Sequence, residues 1–189
     1  MKIDGNQLRT GMIIEYQAKL WRVANYKHVR TGMGRAYLQV ELRDIKTGTK
    51  LNDRFRSEEA VERVQLDSRR YQYLFSDEHS YTFMDTQTFD QIVLDKSVID
   101  AEQARFLKDG MEVTIESYEE KPISMQLPDT VILQVTEADA VVKRQTASSS
   151  YKPALLENGL RVLVPPHIEA GTRIVVNTAE ATYVERAKD

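Results

Sequence analysis

A chain of 189 residues is long enough for one large domain or for two or three small ones. It contains no cysteine, which excludes disulfides, thiolate nucleophiles and thiolate metal sites. It has no stretch of about eighteen apolar residues and no signal-peptide pattern at its start, so we expect a cytoplasmic protein without a membrane span.

Charge is distributed unevenly along the chain, although the formal net charge is only −3. Residues 1–64 carry 13 basic and 8 acidic side chains, a net charge of +5. Residues 65–128 have a net charge of −7, and residues 129–189 have a net charge of −1. A local positive field attracts a polyanion even when the whole protein is acidic. The first segment is therefore the candidate nucleic-acid-binding part, and the alternative is chance variation along a soluble chain.

Apolar residues at every second position predict β-strands along most of the chain. Such runs lie at residues 38–42, 131–135, 162–164 and 174–176. Between two of them, Asn158-Gly159 predicts a tight two-residue hairpin turn, because both residues tolerate positive φ. Further turns are predicted at Thr47-Gly48, Glu120-Lys121-Pro122 and Glu169-Ala170-Gly171.

One segment, Ser97–Leu107, has helical rather than strand periodicity. Ile99 and Phe106 share a face, Ser97 is the candidate N-cap, and Gly110 follows as a stop. Many short strands with one short helix predict an all-β chain of small barrels or sandwiches.

Two breaks predict three domains. The composition changes from basic to acidic near Val64-Gln65, and Pro128 interrupts the strand pattern near the second boundary. The predicted domains are residues 1–64, 65–128 and 129–189.

Motifs of catalysis and metal binding are missing from the sequence. His28, His79 and His167 are scattered, without the spacing of a metal site, so no metal and no other cofactor is expected. Neither a phosphate-binding GxxxxGK[ST] loop nor a GxSxG nucleophile elbow occurs. We therefore expect a protein that is not an enzyme and has no catalytic residue.

The segment at residues 28–37 is the first candidate binding element. Strands predicted on both sides make residues 30–35 the tip of a hairpin, with two glycines flanking Met33. Nearby cationic side chains suit phosphate contacts, whereas an ordinary charged turn is the alternative. The residues of this tip are Arg30, Thr31, Gly32, Met33, Gly34 and Arg35.

The C-terminal segment 152–171 contains a specific pattern with no reactive group. Its fixed or restricted positions are Lys152, Ala154, Gly159, Val162, Val164, Pro165, Ile168 and Gly171. They match the C-terminal motif of the elongation factor P family position by position. The resemblance extends over the chain, through Leu8-Arg9-Thr10-Gly11, residues 43–48, Tyr81-Thr82-Phe83-Met84-Asp85 and Lys121-Pro122-Ile123-Ser124.

This resemblance implies three β-barrels in an L shape that resembles tRNA, namely an N-terminal SH3-like, KOW-type barrel followed by two OB-fold barrels. It implies a translation elongation factor that binds the ribosome between the peptidyl-tRNA and exit sites and promotes peptide bond formation, especially at consecutive prolines. The implied partners are ribosomal RNA and proteins, peptidyl-tRNA, and mRNA at the exit-site codon, and a monomer is expected. The alternatives are a paralogue with a narrower role, a general RNA-binding OB or SH3-like module, and a structural or assembly protein with no RNA partner.

The resemblance also implies where the contacts lie. The first-domain tip would meet the CCA end of peptidyl-tRNA, and Met33 stands where relatives carry a lysine or arginine that is often modified. In the third domain, relatives meet the exit-site codon through a loop whose two glycines are missing here. The implied contacts with small-subunit RNA are Arg144, Gln145, Thr146, Ala147, Tyr183 and Arg186.

Overall fold

The computed structural model describes residues 1–30, 32, 34, 36–139 and 150–188. The chain divides into two compact units. Unit 1 contains Met1–Arg69 and Ile115–Ser124, and unit 2 contains Arg70–Thr114 and Met125–Asp189.

Strands dominate the described residues, as the alternating sequence pattern predicts. They are β1 (Lys2–Asp4), β2 (Ile13–Tyr16), β3 (Lys19–Arg30), β4 (Ala36–Asp44), β5 (Lys50–Arg56), β6 (Ala60–Val64), β7 (Asp67–Ser76), β8 (Ser80–Asp85), β9 (Gln91–Asp95), β10 (Glu112–Tyr118), β11 (Lys121–Gln126), β12 (Thr130–Ala138), β13 (Lys152–Leu156), β14 (Arg161–Val164), β15 (Arg173–Asn177) and β16 (Thr182–Arg186). The helical elements are two 3₁₀ turns, Gly5–Gln7 and Lys96–Val98, and the α-helix α1 (Ala101–Ala104).

The strands form three sheets, which confirms the all-β prediction. The first sheet has the order β1-β6-β2-β3-β4-β5, the second β11-β10-β7-β8-β9, and the third β14-β13-β12-β15-β16. Within the described ranges, no helix is both long and apolar enough to cross a lipid bilayer.

The core of unit 1 lies on one face of the first sheet. Leu38, Val40 and Leu42 alternate along β4, and each is at most 1% exposed. Phe55 on β5 pairs with Leu38 and is equally buried. Because successive side chains of a strand point to opposite faces, this apolar set fixes which residues of β3, β4 and β5 face outward.

The core of unit 2 includes an apolar cluster on the third sheet. It contains Leu133 on β12, Leu156 on β13, Val164 on β14 and Ile174 on β15, all at most 1% exposed. Phe106, which follows α1, belongs to the same cluster. The segment after the helix is therefore packed on the third sheet.

The predicted helix is shorter than its periodicity suggests. Asp95 accepts a hydrogen bond from the Ser97 amide and begins the 3₁₀ turn, while Asp100 accepts one from the Glu102 amide and begins α1. Ile99 between them has extended backbone angles. The prediction of Ser97 as N-cap was therefore wrong, because two aspartates each cap a separate turn.

The hairpin turn at Asn158-Gly159 exists, but it is not the predicted two-residue type. Gly159 alone has positive φ (+81°), and its amide donates to the Leu156 carbonyl at 2.9 Å. The Leu156 amide donates to the Leu160 carbonyl, which closes a three-residue loop. This is the arrangement of a turn followed by a left-handed glycine, which needs only one residue of positive φ.

The turn predicted at Glu120–Pro122 lies one residue earlier than expected. Glu119 and Glu120 have φ of +48° and +64°, and Lys121 and Pro122 already belong to β11. A proline is compatible with β11 because this strand lies at the edge of its sheet.

Gly5 provides a test of the packing between the first 3₁₀ turn and β5. A Cβ added at Gly5 would collide with the Arg56 carbonyl oxygen, whereas one at Gly32 would meet no atom within 4 Å. We therefore expect Gly5→Ala to lower the free energy of unfolding by about 2 kcal/mol in urea titrations, as overpacking does. Gly32→Ala is the matched control and should change it by less than about 0.5 kcal/mol. Equal stabilities of the two variants would contradict this packing.

Candidate nucleic-acid interface

The β3–β4 hairpin carries the predicted binding tip. Its strands pair from Trp21 opposite Asp44 to Arg30 opposite Ala36, with a bulge between Val23 and Asn25. Arg30 is exposed at the last pair. Gly34 has φ of +82°, a conformation that favours glycine.

Of the six predicted tip residues, the structure places Arg30, Gly32 and Gly34. Thr31, Met33 and Arg35 lie outside the described residues. The tip as a contact site therefore remains a prediction.

Lys27 and His28, which precede the tip, face opposite sides of the hairpin. His28 pairs with the buried Leu38. Its ring is perpendicular to that of Tyr26, with 5.7 Å between the two ring centres. Lys27 is opposite Gln39 on the outer face. Only Lys27 therefore joins the cations of that face.

The outer face of β3, β4 and β5 is lined with cationic side chains. Residues that pair directly across antiparallel strands point to the same side. One row consists of Arg22, Arg43 and Lys50, and the next basic row joins Lys27 to Arg54 through Gln39. We call this surface the basic face; its cations are Arg22, Lys27, Arg43, Lys50, Arg54 and Arg56.

Like charges in one cross-strand row repel each other, and two of the three in the first row have acidic partners. Arg22 Nη2 lies 2.8 Å from Glu116 Oε2, and Lys50 Nζ lies 3.3 Å from Glu41 Oε1. Among the described residues, Arg43 makes no ion pair. The row therefore retains an uncompensated positive charge that a phosphate group could neutralise.

An aromatic side chain lies beside these cations near the tip end. The Arg54 guanidinium lies 5.1 Å from the ring centre of Tyr37, which pairs with Arg56 and Val29 on the same face. A cation above an aromatic ring is attracted by the negative face of the ring. The tip end thus offers an arginine beside an aromatic surface.

The basic face was not predicted from the sequence, although part of its signal was there. Lys50, Arg54 and Arg56 are separated by four and two residues along one strand, and separations by an even number of residues place side chains on the same face. Their alignment with Lys27 and Arg43 depends on pairing between distant segments. The net charge of +5 indicated the domain but not the surface.

The third sheet holds the other predicted contact residues that the structure describes. Tyr183 and Arg186 lie on the edge strand β16, opposite Val176 and Ile174. Val176 and Ile174 are buried on one face of the sheet. Because the register shifts at a bulge between Val175 and Val176, Tyr183 and Arg186 lie on that same face although they are three residues apart. Arg144, Gln145, Thr146 and Ala147 lie outside the described residues.

Tyr183 and Arg186 differ in exposure. Tyr183 is half-buried and packs on the apolar cluster of the third sheet. This burial raises the pKa of its hydroxyl, and the neighbouring Tyr151 and Glu185 raise it further. Arg186 is exposed, so it is the better placed of the two for an RNA contact.

Comparison with known proteins gives matches over the whole chain. The family model of the elongation factor P KOW-like domain matches residues 4–61, that of the elongation factor P OB domain matches 66–125, and that of the elongation factor P C-terminal domain matches 131–186. The solved structure of a translation initiation factor 5A from Methanococcus jannaschii shares the fold, with a TM-score of 0.54 and 17% identity over 68% of this chain and 92% of that chain.

Curated relatives are similar over their full length. The protein named elongation factor P from Zymomonas mobilis is 56% identical over 99% of this chain and 100% of its own. The protein of the same name from Rhizorhabdus wittichii is 55% identical over the same shares. The chain belongs to the elongation factor P family.

Proposed function

We propose that this protein is a translation elongation factor that binds the ribosome between the peptidyl-tRNA and exit sites. There it positions peptidyl-tRNA and promotes peptide bond formation, especially between consecutive prolines. The observation that carries the proposal is the full-length identity of 56% to a protein named elongation factor P. The basic face supports it, because phosphate-rich RNA is the natural partner of such a surface.

The proposed action needs no reacting side chain in the factor. Proline has a fixed φ and a secondary amine, which makes it a poor reactant in peptide bond formation. A bound factor that holds peptidyl-tRNA in a reactive geometry lowers the entropic part of the barrier. Ordering worth about 3 kcal/mol would accelerate the step on the order of a hundredfold. The protein is therefore proposed to act by binding and not as an enzyme.

Three domains are proposed, residues 1–64, 65–128 and 129–189, and the proposed RNA contacts lie in the first and the third. The first domain, with the basic face and the 30–35 tip, meets peptidyl-tRNA. The third domain, with Arg186 exposed on β16, meets small-subunit RNA and mRNA at the exit-site codon. The three sheets and the three matched family regions support this division. The factor is proposed to act as a monomer.

Met33 at the tip is proposed to act without covalent modification. A thioether has no amine to acylate and no guanidinium to glycosylate. Its flexible and polarizable side chain suits an apolar contact with the CCA end. The positive charge that a lysine would supply at the tip comes instead from Arg30 and from the basic face.

The basic face gives the first functional test. Arg43→Gln/Arg54→Gln should lower the affinity for ribosomes with an empty exit site about tenfold, and should reduce the slope of log K against log salt by one to two, because each lost phosphate contact contributes about 0.7–0.9. Arg63→Gln/Lys121→Gln is the matched control, since it removes two exposed positive charges of unit 1 that lie outside the basic face. Co-sedimentation at several salt concentrations measures both. The same loss in both variants would show that total charge matters and the basic face does not.

The tip gives the second test. We expect the native protein to have the intact mass of its sequence and to rescue synthesis through Pro-Pro-Pro when made in a host without tip-modifying enzymes. Met33→Ala should reduce this rescue but leave ribosome affinity nearly unchanged, because one apolar contact is a small share of a large interface. Met33→Leu, which keeps an apolar side chain of similar size, is the control. A heavier native protein that alone is active would overturn the proposal.

The absence of catalysis gives the third test. Purified protein with ribosomes should release no phosphate from GTP or ATP above the rate of ribosomes alone, because the sequence has no phosphate-binding loop. Stimulated release that depends on the protein would contradict a role by binding alone.

A further inference from the structure

The turn between β13 and β14 makes contacts outside its own hairpin. Asn158 Nδ2 donates to the Arg105 carbonyl oxygen at 3.1 Å, and Arg105 Nη2 donates to the Gly159 carbonyl oxygen at 3.2 Å. Arg105 is the C-cap of α1, where backbone carbonyls lack partners within the helix. The turn therefore caps the end of α1, and α1 in return satisfies a carbonyl of the turn.

A second contact lies three residues further along the chain. Lys108 Nζ donates to the Ile132 carbonyl oxygen at 3.1 Å and to Glu157 Oε1 at 2.5 Å. The same Glu157 oxygen accepts the Gln134 amide at 2.9 Å. The hydrogen bond from Lys108 is the main reason why the pKa of Glu157 lies below its ordinary value. One ammonium group thus joins β12 to the turn.

Phe106 lies between these two polar contacts in sequence. It is 4% exposed and belongs to the apolar cluster of the third sheet. Met111 and Leu127 pack against the same cluster. Burial of a large aromatic side chain provides most of the attraction, but it is not directional. The hydrogen bonds of Arg105 and Lys108 on either side of Phe106 restrict the orientation of this segment on the third sheet, because each requires a narrow range of distances and angles.

We infer that Arg105, Lys108 and Asn158 are positioning residues that fix the orientation of the third sheet relative to α1. Through the 3₁₀ turn Lys96–Val98, which joins β9 to α1, they also fix it relative to β9 and its paired strand β8 in the second sheet. With Glu157 they form what we call the docking cluster. The functional consequence rests on the proposed function: a factor that contacts RNA through Arg186 must present β16 at a fixed place. The Asn158-Gly159 turn would then do more than reverse the chain within one barrel.

Spin-label distances test the structural part of the inference. The chain has no cysteine, so Val93→Cys and Leu163→Cys place single labels at two exposed positions, 66% exposed on β9 and 61% exposed on β14. We expect a narrow distance distribution in the protein with only these two changes. Lys108→Met, Glu157→Gln or Asn158→Asp should broaden it at temperatures well below the unfolding midpoint of each variant.

Asn158→Asp and the control Glu169→Gln distinguish a loss of orientation of the third sheet from a loss of folding. Asn158→Asp keeps the side-chain oxygen that accepts the Leu160 amide within the turn, and replaces the donor to the Arg105 carbonyl by a carboxylate oxygen that repels it. Glu169→Gln is the matched control for Glu157→Gln, because it removes one exposed carboxylate from another turn near the third sheet. The control should keep the narrow distribution. A narrow distribution in Asn158→Asp and Lys108→Met as well would overturn the inference.

Translation assays test the functional part with the full-length protein. The docking-cluster variants should lose about tenfold in the rate of Pro-Pro-Pro rescue, since small misplacements of a binding group are costly, while Glu169→Gln should match the wild type. A broadened distribution with full rescue would show that orientation of the third sheet has no functional role. If the wild type itself gives no rescue, the proposed function fails, and the spin-label result still decides the positioning role.

Discussion

The buried face of β4 is the constraint from which the rest of unit 1 follows. Leu38, Val40 and Leu42 occupy the core, and a slip of one residue would exchange the two faces of the strand. The register that buries them also aligns Arg43 with Arg22 and Lys50 on the outside. The core pairing thus holds like charges side by side, although they repel each other. Such a surface suits a partner that carries several negative charges, as a nucleic acid does.

Local patterns predicted the strands well and the turns less well. Alternation at 38–42 and 131–135 identified β4 and β12, because burial of one face imposes a period of two. The turn at Glu119-Glu120 was misplaced because neither residue is a usual carrier of positive φ. The predicted helix cap was wrong because Asp95 and Asp100 each begin a separate short turn, and Ile99 between them is extended. The exact position of a turn or a helix cap depends on small free-energy differences, which residue propensities do not resolve.

The candidate site was predicted in part, and the missing part depends on contacts between distant segments. The motif at 152–171 identified the family, and the charge of residues 1–64 indicated a candidate RNA-binding segment. Neither could show the basic face, because its rows are set by pairing of three strands. The bulge that brings Tyr183 and Arg186 onto one face is likewise invisible in a sequence, where a spacing of three implies opposite faces. The domain boundaries and the tip contacts stay predictions.

An uncharged residue at the tip is consistent with an RNA-binding role, because the basic face can attract RNA while the tip provides a local contact. Attraction to RNA grows with the number of phosphates neutralised, and six cations of the first sheet lie on one face. In the proposed role, placement of the CCA end would depend on shape and on close approach, which Gly34 at positive φ would allow. A methionine at position 33 in place of a lysine leaves out one positive charge among several. We therefore expect it to weaken the local contact at the tip more than the overall affinity for RNA. In the proposed role, the sheet would therefore keep the affinity for RNA even where the tip residue carries no charge.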